Sequence, residues 1–258
     1  AAIRRDILMM MHYSKSSHIG GALSIVEVLY ELYFHIMNID PTEPKKSERD
    51  IFILSKGHCS AALYATLAHR GYFPREWLDR YYVDDGLLPG HLDMTTVPGV
   101  ECSAGSLGHG LPIGLGMATA KQRQKASGRV FVLLGDGECN EGSVWEAVML
   151  AGTLKTANLT AIVDFNHLQG MGRDVIDQHN LVSRFSDFGW EAVEVDGHDC
   201  EALRSVLSAP TSDRPKAIIA HTIKGRGISF MEDKLEWHYK SPNDDQFSSA
   251  LGELGSHK

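Results

Sequence analysis

The sequence predicts an α/β protein, a doubly wound, mostly parallel sheet with helices on both faces. Short, largely apolar runs at Ile51–Leu54, Phe131–Leu134 and Leu159–Val163 have the character of strands buried on both faces. Stretches of helical periodicity separate them, as strand–helix–strand crossovers require. Two of the runs lead into residues that carry chemistry, Gly135-Asp136-Gly137 and Asp164-Phe165-Asn166. That is the carboxyl edge at which open α/β sheets bind ligands.

A chain of 258 residues can bury one sizeable core, so a single domain over 1–258 is expected. The formal net charge of −8 argues against nucleic acid or an acidic membrane as partner. No stretch reaches the roughly 20 apolar residues of a membrane span, and the opening Ala1-Ala2-Ile3-Arg4-Arg5 lacks the pattern of a signal peptide. Cys59, Cys102, Cys139 and Cys200 are scattered, with no Cys-x-x-Cys pair, which fits reduced thiols in a cytoplasm.

Ile3 to Tyr13 reads as an amphipathic helix. Ser24-Ile25-Val26-Glu27 reads as a capping box opening a helix from Ile25 to Met37. That helix is apolar nearly all round and is expected to be buried, against another chain in one reading. After the strand Ile51–Leu54, Ser55 to Ser60 leads into a helix from Ala61 to Arg70, with Gly71 as its C-terminal cap. Pro74 starts a short helix to about Tyr82. The stretch from Val83 to Gly110 lacks periodicity but holds apolar and aromatic residues, so it is expected to be ordered around a ligand. A helix from Pro112 to Lys125 feeds the strand Phe131–Leu134. A second helix, with Val144, Ala147, Val148 and Ala151 on one side, joins it to Leu159–Val163. Residues 166 to 180 read as a glycine-containing loop. A helix near Leu181–Phe188, the strand Glu191–Val195, a helix capped by Asp199, the strand Lys216–Thr222 and a polar loop bearing His238 follow. A short C-terminal helix closes the pattern.

Parallel strands ending at Asp136 and Asn166 place a carboxylate beside an amide oxygen. Both are hard ligands suited to Mg²⁺ or Ca²⁺ and not to Zn²⁺. The flanking glycines leave N–H groups free near a helix start, which favours phosphate. A metal bridging the protein to a diphosphate joins the two readings. The alternative is an ordinary Gly-Asp-Gly turn with Asn166 capping a strand. Gly142 falls too late to complete a dinucleotide-binding fingerprint.

Five elements line up in order: Ser17-His18-Ile19-Gly20-Gly21, Lys56-Gly57-His58-Cys59-Ser60, Gly90-His91, Ala104-Gly105-Ser106-Leu107-Gly108-His109-Gly110 and the Gly-Asp-Gly…Asn pair. Together they resemble the thiamine-diphosphate-binding domain of transketolase, over nearly the whole chain. Transketolases usually carry two further domains, so the resemblance implies the N-terminal subunit of a split enzyme. Its partner would be a C-terminal subunit carrying the pyrimidine-binding domain, in an α2β2 heterotetramer acting on sugar phosphates. It further implies thiamine diphosphate as cofactor, with Mg²⁺, or Ca²⁺ or Mn²⁺ in its place, held by Asp136, Asn166 and the backbone carbonyl of Leu168. His58 and His238 with Gly135, Gly137 and Glu138 would line the diphosphate, and Gly105, Ser106 and Leu107 the aminopyrimidine. His18, His91 and His238 would act at the reacting centre, and Glu141 and Glu146 would lie at the subunit interface. Imidazoles titrate near neutrality and can exchange protons with sugar oxygens. The other histidines, His198 among them, are expected to be structural. Two enzyme readings compete, the α-type subunit of a 2-oxo-acid decarboxylase or dehydrogenase and deoxyxylulose-phosphate synthase. A non-catalytic cofactor-binding module is the third alternative.

Overall fold

The computed structural model describes residues 1–210 and 212–256. Helices α1 (Ala2–Ser14), α2 (Ile19–Ser24) and α3 (Val26–Glu31) precede strand β1 (Ile51–Leu54). Helices α4 (Ser60–Arg70) and α5 (Gly110–Gln124) precede β2 (Val130–Gly135), and α6 (Gly142–Leu154) leads to β3 (Leu159–Phe165). A small antiparallel hairpin follows, β4 (Leu168–Gln169) with β5 (Gly172–Arg173), then α7 (Leu181–Asp187) and β6 (Glu191–Asp196). Helix α8 (Cys200–Ser208), β7 (Lys216–His221) and α9 (Asp244–Ser256) come last.

Five strands form one parallel sheet in the order β1-β2-β3-β7-β6. The side-chain period of two divides each strand between two cores. Phe52, Leu54, Phe131, Leu133, Ile162 and Ile218 face one layer with residues of α1, α2, α3, α4, α8 and α9. Ile51, Ile53, Val130, Val132, Ala161, Val163 and Ile219 face the other, with residues of α5, α6 and α7. Both faces are therefore covered, which explains why the central strands read as largely apolar runs. Because all five strands are parallel, the ends of β1, β2, β3 and β7 open on one edge.

The Ile25–Met37 helix differs from its sequence pattern. Ile25 leaves helical geometry between α2 and α3, and Leu32–Ile36 forms a π-helical turn. The capping box is not made. The Ser24 hydroxyl donates to Asp164 Oδ2 at 2.7 Å, with Gly21 O 2.9 Å away as its alternative acceptor, and Glu27 pairs with Arg4 instead of reaching back to the cap. The apolar stripe is buried within this chain, where Val28, Leu29 and Leu32 are fully enclosed. Tyr30 and Phe34 stay exposed and stack on each other, with ring centroids 5.1 Å apart. The helix expected at Pro74 is a 3-10 segment, Arg75–Arg80, and the loop at 166–180 contains the β4–β5 hairpin. The C-terminal helix is 13 residues long. Gly71 closes α4 as expected, with φ +94° and its N–H bonded to Leu67 O and Ala68 O.

Helix α6 meets the turn before β6 at Gly152, where an added Cβ would overlap the carbonyl of Phe188. Trp190 locks the contact by donating from Nε1 to Val148 O at 2.8 Å. Backbone yields less readily than a side chain, so Gly152→Ala should cost on the order of 3 kcal/mol, the upper range for overpacking. Urea unfolding measures this, and a change below about 0.5 kcal/mol would contradict the packing described.

Candidate active site

The ends of β1 and β3 are joined by a buried ion pair. Lys56, two residues beyond β1, donates to Asp164 near the end of β3; the two are 3% and 0% exposed. Asp164 also accepts from Ser24 Oγ at 2.7 Å, from Asn166 Nδ2 at 3.1 Å and from the Thr222 hydroxyl beyond β7. Burial alone would raise the Asp164 carboxyl, but the Lys56 charge and these hydrogen bonds hold it below its usual value. Burial opposes the charge on Lys56, and Asp164 more than restores it.

Above this pair lies a cavity of about 590 Å³. Four histidines from four separate segments line it. The rings of His18 and His58 have centroids 5.1 Å apart, as do those of His18 and His238, while His91 stands 6.4 Å from His18. His18 takes a left-handed backbone conformation, φ +78°, and its N–H donates to His238 O at 3.0 Å. A branched or bulky residue is strained there, and the bond to the 238 carbonyl ties two distant loops together. The His91 loop is held by Ser60, which donates to Gly90 O, and by Tyr64, which donates to His91 O. Gly57 allows that loop to approach, since an added Cβ would stand 2.7 Å from the Ala104 carbonyl.

Lys224 is the second buried cation, 3% exposed. Its Nζ donates to Leu168 O at 2.6 Å and lies 2.8 Å from His238 Nδ1. An ammonium has no acceptor, so Nδ1 is the acceptor and His238 carries its proton on Nε2. Burial and then the Lys56 charge lower Lys224 to about 8. Burial, with His91, Lys224 and Lys56 in that order, lowers His18 to about 4. Burial and then Lys224 lower His238 to about 3, and burial followed by Lys56 pushes His58 well down. His18, His58 and His238 are thus held neutral against buried ammonium groups, an arrangement that an anion would stabilise.

The oxygen donors form the opposite wall. Asp136 accepts from Gly137 N at 2.7 Å and from Asn166 N at 3.2 Å, so the two strand ends are in direct contact. Asp136, Asn166 and Leu168 all line the cavity. Burial, and next the charge of Asp164, raise the Asp136 carboxyl. Among the described residues Asp136 has no ion pair, because Lys56 is committed to Asp164. A buried carboxylate without an ion pair, beside the Asn166 amide and a Leu168 carbonyl that already accepts from Lys224, fits a hard divalent cation that would share that carbonyl. Among the described residues no group of three or more His, Cys, Asp or Glu side chains could hold a metal, so a thiolate or imidazole centre is not built here.

Most residues singled out from the sequence meet in this cavity. His18, His58, His91, His238, Gly105, Leu107, Gly135, Asp136, Gly137, Glu138, Asn166 and Leu168 all line it. Ser106 does not, and its side chain is exposed. Glu138 reaches the wall with both oxygens occupied. It accepts from Ser55 Oγ and from the N–H groups of Gly108 at 2.9 Å and Gly135 at 3.2 Å, bracing three loops. Sequence reasoning assigned nothing to Asp164, Thr222 or Lys224. A signal existed, because Lys56-Gly57 and Lys224-Gly225 are matching Lys-Gly pairs just beyond parallel strands.

The lowered imidazoles couple stability to pH. An unfolded histidine titrates near 6.5, whereas His18 and His238 resist protonation in the fold. As pH falls below 6.5 the unfolded chain binds more protons, so this contribution is intact above that value and is lost toward 4 and 3. Urea midpoints should drop between about pH 7 and 5, before carboxylates dominate. The His18→Asn/His238→Asn double variant should show a shallower drop, and an identical pH slope would contradict this electrostatic account.

The family model described as "transketolase, thiamine diphosphate binding domain" matches residues 1–258. A protein of Phocaeicola vulgatus, named as one of the subunits of an apulose-4-phosphate transketolase, is 41% identical over 255 residues, covering 97% of this chain and 90% of that protein. A Clostridium protein, named as one of the subunits of a 6-deoxy-6-sulfo-D-fructose transketolase, is 40% identical over 241 residues, covering 92% and 88%. The crystal structure of a mutant transketolase from Pichia stipitis superposes with a TM-score of 0.93 at 28% identity; it is matched over 98% of this chain and 40% of its own. This chain therefore spans about two fifths of that solved transketolase. On these matches and this geometry, the chain belongs to the transketolase family, as its N-terminal, thiamine-diphosphate-binding part.

Proposed function

We propose that this chain is one subunit of a two-chain transketolase. It moves a two-carbon ketol unit from an anionic ketose to an aldose, using thiamine diphosphate and a divalent metal. The observation that supports this reading most is the meeting of four histidines with Asp136, Asn166 and Leu168 in one cavity. The cofactor, when bound, supplies the carbanion nucleophile and electron sink that make ketose C–C cleavage feasible. The chain supplies the rest. Asp136, Asn166 and the Leu168 carbonyl hold Mg²⁺, with Ca²⁺ or Mn²⁺ as substitutes. His58, Gly137 and His238 take the diphosphate, with Lys224 fixing the His238 tautomer. Gly105 and Leu107 contact the aminopyrimidine, and His18 and His91 exchange protons with sugar oxygens.

The partner would contribute the pyrimidine-binding domain, including the carboxylate that activates the cofactor's ring nitrogen. An α2β2 arrangement is the simplest closed assembly. Glu141, at the cavity wall, and Glu146, beside the exposed Leu150 and Leu154, are suited to that interface. We read residues 1–258 as one domain. Relatives named for a sugar phosphate and a sulfo-sugar support an anionic substrate. Four unpaired cysteines suit a reducing compartment such as the cytoplasm, and no helix among the described residues is long and apolar enough to cross a membrane.

Ketol transfer should be measured with this chain and its partner, separately and together, with Mg²⁺ and thiamine diphosphate. Transfer is expected only from the pair. Asp136→Ala should abolish cofactor binding, read by calorimetry at concentrations that saturate the wild type. Turnover by this chain alone, release of CO₂ from a 2-oxo acid, or undiminished binding by Asp136→Ala would each contradict the reading.

A further inference from the structure

Behind the end of β7 lies a buried relay that the chemistry above does not use. Arg4 on α1 pairs with Glu27 on α3 through Nη1 at 2.7 Å and Nη2 at 2.8 Å, and its Nε donates to Arg226 O at 2.8 Å. His198, 10% exposed at its side chain, has Nδ1 at 3.1 Å from Glu27 Oε2. On its other side the Ile223 N–H donates to His198 Nε2 at 2.8 Å. An imidazole that accepts at Nε2 must donate from Nδ1, so Glu27 sets the tautomer that lets His198 hold Ile223.

Ile223 stands between the two residues that reach the site from β7. Thr222 donates to Asp164, and Lys224 donates to Leu168 O and to His238. The turn bearing His198 is built to press on this segment. Gly197 N donates to His221 O at 2.7 Å, and a Cβ on Gly197 would overlap the Thr222 side chain. Asp196 accepts from His198 N at 2.8 Å, and Asp199 caps α8 through Glu201 N and Ala202 N. The β6–α8 turn is thus anchored on both sides of His198.

We infer that His198 is a positioning residue for the cofactor half of the site. Held by Glu27 and Arg4, it fixes the Ile223 N–H and with it the placement of Thr222 and Lys224. The histidine touches neither cavity nor reacting atoms, and its action passes through the backbone at 223. The inference rests on the reading that the cavity binds thiamine diphosphate and a metal.

The test separates the two contacts of the imidazole. Glutamine places a polar group where Nε2 lies and can still accept from Ile223, whereas asparagine reaches only as far as Nδ1 and keeps the contact to Glu27 alone. In the assembled enzyme with Mg²⁺, His198→Asn should raise the thiamine-diphosphate dissociation constant roughly 10- to 100-fold, the usual effect of losing an outer support. His198→Gln should stay near wild type. Hydrogen exchange at the Ile223 amide, read on the cofactor-free chain, should quicken in the asparagine variant and not in the glutamine variant. Equal cofactor affinity in both variants, or unchanged exchange at 223 in His198→Asn, would overturn the inference. A wild-type enzyme that fails to bind the cofactor would instead overturn the functional reading, while the exchange comparison would still judge the strut.

Discussion

The site depends on one buried ion pair, Lys56 with Asp164, set between the ends of two strands that are not neighbours. β2 lies between β1 and β3, so the pair spans the strand whose exit carries Asp136. Asp164 gathers Ser24, Asn166 and Thr222 as well, drawing in α2 and the segment beyond β7. Such a pair adds little stability over a well-packed apolar alternative, but losing one partner would strand a buried charge at a cost of about 3–5 kcal/mol. Its value here is geometric. By occupying Lys56 it leaves Asp136 without a counter-ion, and by orienting the Asn166 amide it turns that group toward the same wall.

The electrostatics of the cavity follow from what this pair neutralises and what it leaves. Lys56 is matched, whereas among the described residues Lys224 has a carbonyl and an imidazole for partners and no carboxylate. Burial and the nearby ammonium groups suppress proton binding on His18, His58 and His238. A doubly charged anion reverses that preference, since its field favours the protonated imidazole. On the other wall the unneutralised Asp136 repels an anion unless a cation intervenes. The two walls together favour a metal–diphosphate unit over either component alone.

Much of this was legible in the sequence. Largely apolar strands gave the parallel sheet, and the residues after Leu134 and Val163 gave the ligand edge, because strand ends and glycine turns are local signals. The roles of His18, His58, His91 and His238 came from the resemblance of their motifs to those of transketolase. Other features were not local. The helix expected from Ile25 to Met37 is interrupted, and the Ser24 side chain expected to cap it bonds Asp164, 140 residues away. Glu27 looked like a cap residue but serves Arg4 and His198. Lys224 and Asp164 gain their meaning only when β3 and β7 pair, a register that periodicity does not reveal. Ser106 shared a motif with two lining residues yet points to solvent, since neighbours in a loop need not share a direction.

The most direct test of the account is a crystal structure of the chain with its partner, thiamine diphosphate and Mg²⁺. The account predicts a metal ligated by Asp136, Asn166 and the Leu168 carbonyl, with the diphosphate against His58 and His238. It also predicts Lys56 still paired with Asp164. A metal held by other residues, or a diphosphate seated away from the ends of β2 and β3, would contradict it.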